Sequence, residues 1–579
     1  MNNRRAVVGR MNQMDIDITV KIGGEAGQGI QTVGHLLALV CRKAGLYIMA
    51  INDFESRIRG GHSFFQIRIS DSPVHAPHHR VHILVALNRE TLDLHREALD
   101  TDGLVLIDEK AESAEGSVIN VPLEKLGKKA GGKIFSNTVA AGACLALLGA
   151  PFELCKAVLA EQFGKKGTDV VEKNVDAAEL GYQAVKDVAF KWAFEWKPDT
   201  PKGTLIDSSR SIALGALSAD CRLAAFYPMS PATGIMSNLA ALSDRFPLVV
   251  EQTEDEIAAV NMIIGASFAG VRAMTSTSGG GFCLMTEGLG LAAITETPIV
   301  IVNAQRPGPA TGLPTRTGQG DLQFVIRASQ DEFPRFVFAP GMPDEAFEIT
   351  ARAFHLAEKY QVPVIILVDQ YLQDSLFIIE KQLTAPEETE RFIAGDDDMD
   401  NPSEYKRFAV TPSGVSPRAL PCAGKALVVI SSDEHREDGH ISEAISDRIQ
   451  MVDKRNAKVP HMIKEMNPPK EYHGDADILL VGWGSTEGAI KEAVDRLREE
   501  GMNAGALNFV DLWPFPFEAA IAALNRTKKF YMVEQNSSAQ LGQLIREQTG
   551  LIHSGAILKY DGRPFYPNEI VNDVKEYVR

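Results

Sequence analysis

Four carboxylates, Glu251, Glu254, Asp255 and Glu256, stand before a long apolar stretch in VVEQTEDEIAAVNMIIGASFAGVRAMTSTSGGG (249–281). The helix dipole favours acidic residues at a helix start, which accounts for most of them. Glu256 differs because it directly precedes the apolar run and is the one the helix would carry inside. A buried glutamate needs a partner or stays protonated, and a hydrogen bond to a ring nitrogen provides such a partner. Just upstream, AAFYPMSPATGIMSNLA (224–240) places the Ser230 hydroxyl where a strand gives way to a helix. Open α/β sheets bind ligands at such junctions, although the same hydroxyl could simply cap the helix.

Two further motifs lie near the N-terminus. The loop GGEAGQG (23–29) leads from an alternating strand, Ile16 to Ile22, into the helical stretch IQTVGHLLALVCRKAG. Its glycines allow close backbone approach and the helix N-terminus favours anions, so a structural turn and an anion site are both open. Its spacing is not the GxGxxG of dinucleotide-binding turns. In ESRIRGGHSF (55–64), Arg57 and Arg59 stand beside the Gly60-Gly61 turn, which reads as a polyphosphate contact or, more plainly, a solvated basic turn.

The elements that must hold these residues alternate between strands and helices, which predicts an α/β fold with parallel sheets. Strand-like runs occur at 82–88 and 103–109 in the first unit, at 247–251, 298–304 and 362–369 in the second, and at 529–536 in the last. A Pro-containing linker at 191–203 separates units at 15–190 and 204–385. Residues 386–470 read as an irregular connection ordered by packing on neighbouring subunits. The last unit, 471–579, opens with ADILLVGWGSTEGAI, where Ser485 is expected to cap the helix.

Composition narrows the function. The chain has 579 residues, enough for about three to four domains. It is 45% hydrophobic and 23% charged, as a globular protein is, with 59 basic against 76 acidic residues. A net charge of −17 argues against nucleic-acid binding. There is no run of roughly 20 apolar residues, so no membrane span is expected. MNNRRAVVGRMNQMD lacks the apolar core of a secretory signal, and the expected location is cytoplasmic. The six cysteines include no CxxC pair, so a cluster or zinc site built from local pairs is not expected on this chain.

YPMSP, a glutamate leading a Gly-Ala helix and TSTSGGG together resemble the α-type chain of the 2-oxoacid:ferredoxin oxidoreductases. GGEAGQG with ESRIRGGHS is similar to the family's γ domain, fused in front. VNAQRPGPATGLPTRTGQGDL (302–322) is similar to its substrate loop, and the C-terminal unit to its transketolase-C-like domain. The layout resembles most closely the 2-oxoglutarate enzymes. The resemblance implies thiamine diphosphate (TPP) chemistry: 2-oxoglutarate and coenzyme A (CoA) go to succinyl-CoA and CO₂, electrons go to ferredoxin, and the reaction is reversible in principle.

The family's diphosphate motif begins Gly-Asp-Gly, which this sequence lacks. The resemblance therefore implies that this chain binds only the pyrimidine half of TPP, at Tyr227, Pro228 and Glu256, with Glu256 activating the cofactor through the ring N1′. It further implies that a β subunit supplies Mg²⁺ and the [4Fe–4S] cluster in an (αβ)₂ assembly, with ferredoxin docking mainly on β. It assigns Ser230, Arg306 and Thr315 to the oxoacid. It assigns Gly27, Gln28, Gly29, Ser56 and Arg57 to CoA, with tight turn and domain packing as the alternatives at each. Pyruvate, branched-chain oxoacids and aryl-pyruvates are alternative substrates. A nucleotide-dependent dehydrogenase, with Asp53 as its ribose-binding acid, and a non-catalytic scaffold are the readings outside the family.

Overall fold

Only residues 54–61 separate the strands Tyr47–Asp53 and His62–Ser70, too few for a crossover helix, so the two pair antiparallel. The first sheet is therefore mixed where a parallel one was expected. Its order is Ser117–Asn120, Leu99–Ile107, Val81–Ala86, Asp17–Glu25, His62–Ser70, Tyr47–Asp53, Leu376–Ile379, Thr204–Ile206. The helix Ile30–Lys43 buries Ile30, Val33, Leu36, Leu37, Val40 and Cys41, the i, i+3, i+4, i+7 spacing of one helical face.

The computed structural model describes residues 16–25, 27–55, 61–108, 117–188, 194–198, 200–386, 389–395 and 405–578. They fall into two units. One runs through Leu205 and takes in Leu376–Glu380; the other holds Ile206–Ser375 and Lys381 onward. The strand Leu376–Ile379, expected in the second domain, pairs antiparallel with Tyr47–Asp53 of the first sheet. No helix among the described residues is long and apolar enough to cross a membrane.

The second unit contains two sheets. The larger has the order Asp511–Trp513, Phe336–Phe338, Pro363–Asp369, Ile299–Gln305, Ala273–Thr277, Leu223–Phe226, Val249–Gln252, and all its pairings are parallel except that of Asp511–Trp513. Ile299–Gln305 and Pro363–Asp369 are buried at every residue, as strands covered on both faces must be. The smaller sheet has the order Lys470–Tyr472, Ala504–Phe509, Ile478–Trp483, Lys529–Glu534, Gly555–Leu558. Asp511–Trp513 crosses from the C-terminal region onto the larger sheet, and Ile301, Ile365, Val481, Phe509 and Met532 share one core.

In residues 386–470, the described stretches 389–395 and 405–444 carry no helix or strand element, as expected of a partly irregular connection. The helices Ile445–Asn456 and Val459–Ile463 follow, and the region packs on its own chain. Glu358 is buried against Arg272, Arg391 and Arg418, and Glu296 against Lys454 and Lys458 at 2.6 Å each. Cations of this segment also meet helix C-termini. Arg418 donates to the Ser267 carbonyl at 3.2 Å, and Arg407 donates to those of Thr295 and Glu296 at 3.2 and 2.8 Å. Positive charge at the negative end of the helix dipole is favourable, so this cationic strap clamps the far ends of Glu256–Phe268 and Gly279–Ile294.

Candidate active site

Asp255 caps the glutamate helix, its carboxylate accepting from the Ala258 N–H at 2.7 Å. That bond fixes the first turn and carries the next residue inside: Glu256 is 2% exposed, whereas Glu251 and Glu254 are exposed. Glu256 Oε1 is buried and has no hydrogen-bond partner among the described residues. Thr275 Oγ1, Thr277 Oγ1, Ser278 Oγ and Asn303 Oδ1 share that condition. An unsatisfied buried acceptor costs about 1–3 kcal/mol, more when charged, so a group of them marks a place where a ligand completes the bonding.

The three glycines of TSTSGGG shape this place. A Cβ on Gly279 would strike the Asp321 carboxyl, one on Gly280 would meet only the Ala310 carbonyl at 3.9 Å, and one on Gly281 would collide with Thr277 Oγ1 and Glu256 Oε1. The missing side chains thus leave the start of the helix Gly279–Ile294 open to Glu256 on one side and to the 306–321 loop on the other. Asp321 accepts from Asn303 Nδ2 at 3.1 Å, and burial pushes its pKa up. Neither Asn303 nor Asp321 was singled out from sequence. Asn303 lies within the strand Ile299–Gln305 and Asp321 at the N-cap of a short helix, and only the fold brings them together.

Ser230 does not cap the next helix, Thr233–Leu242, whose N-cap is Ala232. Instead its carbonyl accepts a 2.7 Å hydrogen bond from Arg306 Nη1, which brings two of the expected substrate residues together. Partial burial lowers the Arg306 pKa, and its remaining N–H donors meet no acceptor among the described residues. Thr315 is buried on the same loop, and Tyr227 and Pro228 are exposed at the end of Leu223–Phe226. Ser485, expected as an N-cap, lies one residue before the N-cap Thr486, and its hydroxyl donates to Asp369. Among the described residues no group of His, Cys, Asp and Glu is arranged to hold a metal ion.

Sequence comparison fits this arrangement. Residues 214–454 match the family model described as pyruvate flavodoxin/ferredoxin oxidoreductase, thiamine diphosphate-binding. Residues 19–184 match pyruvate ferredoxin/flavodoxin oxidoreductase, and 476–570 match pyruvate:ferredoxin oxidoreductase core domain II. The 2-oxoacid:ferredoxin oxidoreductase subunit alpha of Saccharolobus solfataricus is 32% identical, covering 97% of this chain and 98% of that one. The chain belongs to the 2-oxoacid:ferredoxin oxidoreductase family, as an α subunit. The 2-oxoglutarate synthase subunit KorA of Methanothermobacter thermautotrophicus is 33% identical over 63% of this α subunit and 96% of its own length. The solved 2-oxoglutarate:ferredoxin oxidoreductase from Magnetococcus marinus, with 2-oxoglutarate, coenzyme A and succinyl-CoA bound, is 30% identical with a TM-score of 0.89, covering 97% of this chain and all of that one.

The other unit of this α subunit holds the remaining candidates. Gly27 and Gly29 have φ of 92° and 77°, and a Cβ on Gly29 would collide with the Asn137 amide. Gln28 Oε1 accepts from the Glu25 N–H at 2.7 Å, closing the turn on itself. Ser56 and Arg57 lie outside the described residues.

Proposed function

We propose that this α subunit serves an enzyme that converts 2-oxoglutarate, CoA and two oxidised ferredoxins to succinyl-CoA, CO₂, two reduced ferredoxins and a proton. The observation that carries the reading is the buried, unpartnered Oε1 of Glu256 beside the glycine start of the next helix. Glu256 would hold the aminopyrimidine of TPP by accepting from, or sharing a proton with, its ring N1′. When bound, TPP supplies a nucleophilic carbon and an electron sink for loss of CO₂. Tyr227 and Pro228 would flank the ring from the end of their strand. Arg306, oriented by its bond to the Ser230 carbonyl, would present its fork to the substrate carboxylate. The Ser230 hydroxyl and Thr315 would bond the same substrate.

In this reading Gly27, Gln28, Gly29, Ser56 and Arg57 serve CoA, while a β subunit brings Mg²⁺ and the [4Fe–4S] cluster in an (αβ)₂ enzyme. The preference for 2-oxoglutarate is supported by the KorA relative and by the named ligands of the Magnetococcus enzyme. The test is anaerobic reduction of a low-potential acceptor by the enzyme co-purified with its β subunit. It compares 2-oxoglutarate, pyruvate and an aryl-pyruvate, each with and without CoA. A kcat/KM highest for 2-oxoglutarate and dependent on CoA is expected; a higher value for another oxoacid overturns the substrate assignment.

A further inference from the structure

Asp369 ends the strand Pro363–Asp369, in register with Gln305, the residue before Arg306. It is 2% exposed, and its bonds are with neutral donors: the Leu372 N–H at 2.9 Å and the Ser485 hydroxyl. Burial raises its pKa to about 6. These contacts extend on both sides. Thr317 Oγ1 accepts from the Tyr371 N–H at 3.3 Å, and its own N–H donates to the Gly562 carbonyl at 3.3 Å. Two residues on, Gln319 exchanges bonds with the Gln535 backbone at 2.7 and 3.0 Å, and its amide donates to the Trp483 carbonyl at 2.7 Å. Gln535 Nε2 returns to Ser485 Oγ at 3.0 Å.

The 306–321 loop is therefore fastened at Thr317 and Gln319 to Tyr371, just past the strand end, and to three turns of the C-terminal region. Arg306 lies before those fastenings and Thr315 two residues short of the first. A loop fixed at alternate residues cannot slide by one position without breaking every bond in the set. We infer that Asp369 is a positioning residue: through Ser485, which Gln535 joins in turn to Gln319, it holds the 306–321 loop in the register that presents Arg306 and Thr315 to the oxoacid, and ties that loop to the C-terminal region. This rests on the function proposed above.

The plainer role for Asp369 is to cap the helix Gln370–Asp374 through Leu372. Ser485→Ala separates the two, because it leaves that cap bond in place. The holoenzyme with its β subunit is compared as wild type, Ser485→Ala, Ser485→Thr and Asp369→Asn, by hydrogen exchange over 315–321 and by KM for 2-oxoglutarate and CoA. In Ser485→Ala, exchange over 315–321 should quicken roughly tenfold, as loss of one ordinary hydrogen bond allows. The oxoacid KM should rise by about the same factor with a smaller change for CoA, and Ser485→Thr should restore both. Unchanged exchange overturns the inference, and so does faster exchange with an unchanged oxoacid KM. Absence of oxoacid turnover in the wild type would defeat the proposed function, while exchange would still decide whether Asp369 and Ser485 fasten the loop.

Discussion

Arg306 Nη1 donates to the Ser230 carbonyl across 2.7 Å, joining the loop after Ile299–Gln305 to the turn after Leu223–Phe226. Both turns lie at the carboxyl ends of parallel strands, where such sheets bind ligands. Lysine keeps the charge but has no fork with which to hold Ser230 and a carboxylate together. Arg306→Lys is expected to lower kcat/KM for the oxoacid roughly tenfold to hundredfold, the loss of one charged hydrogen bond. Steady-state kinetics on the assembled enzyme checks this, with the CoA KM as the internal control.

Gly281→Ala tests the glycine cradle. The new methyl would meet Thr277 Oγ1 and Glu256 Oε1, and overpacking of this kind costs about 1–3 kcal/mol. Thiamine diphosphate content after purification should fall while the circular dichroism stays that of the wild type. Gly280→Ala should retain cofactor, because only the Ala310 carbonyl lies near its Cβ.

Glu296 governs the cationic strap. Burial works against its charge, but Lys458, Lys454 and Arg407 overcome that and hold its pKa well below the ordinary carboxylate range. A depressed carboxylate contributes stability that is present above its unfolded pKa and lost as pH falls through the folded value. Wild-type Tm should therefore fall on acidification below the ordinary glutamate range. Glu296→Gln should lower Tm at neutral pH, by about 3–5 kcal/mol in stability, and flatten that acid dependence. Calorimetry at several pH values reads both.

Gly29→Ala probes the N-terminal loop. The position needs φ of 77°, and the methyl would collide with Asn137. A destabilisation of about 1–3 kcal/mol is expected from the backbone and the contact together. If the loop serves CoA, the CoA KM should also rise with little change for the oxoacid.

Much of this was legible in the sequence, for identifiable reasons. Ile299–Gln305 and Pro363–Asp369 are short β-branched runs and read directly as covered strands. The burial of Glu256 followed from its place between three other carboxylates and an apolar helix. The antiparallel pair Tyr47–Asp53 and His62–Ser70 was not legible because the Arg-Gly-Gly segment between them has the composition of a solvated basic turn, whatever the direction of the strands it joins. What fastens the strap was not legible because its order comes from Glu296 and Glu358, more than 30 residues away, rather than from a periodic apolar face. Likewise Ser485 has the type and position of a cap, and only the fold brings Asp369 within its reach.

Glu256→Gln in the assembled enzyme tests the central claim most directly. The amide keeps the size of the side chain but cannot accept the ring's proton as a carboxylate does. Oxoacid-dependent reduction should fall by about 10²–10⁴-fold, the range for loss of a positioned proton-transfer group. The subunits should still co-purify with their clusters. Turnover within a few-fold of wild type, in enzyme shown to carry the cofactor, would contradict the assignment of Glu256 and with it the proposed site.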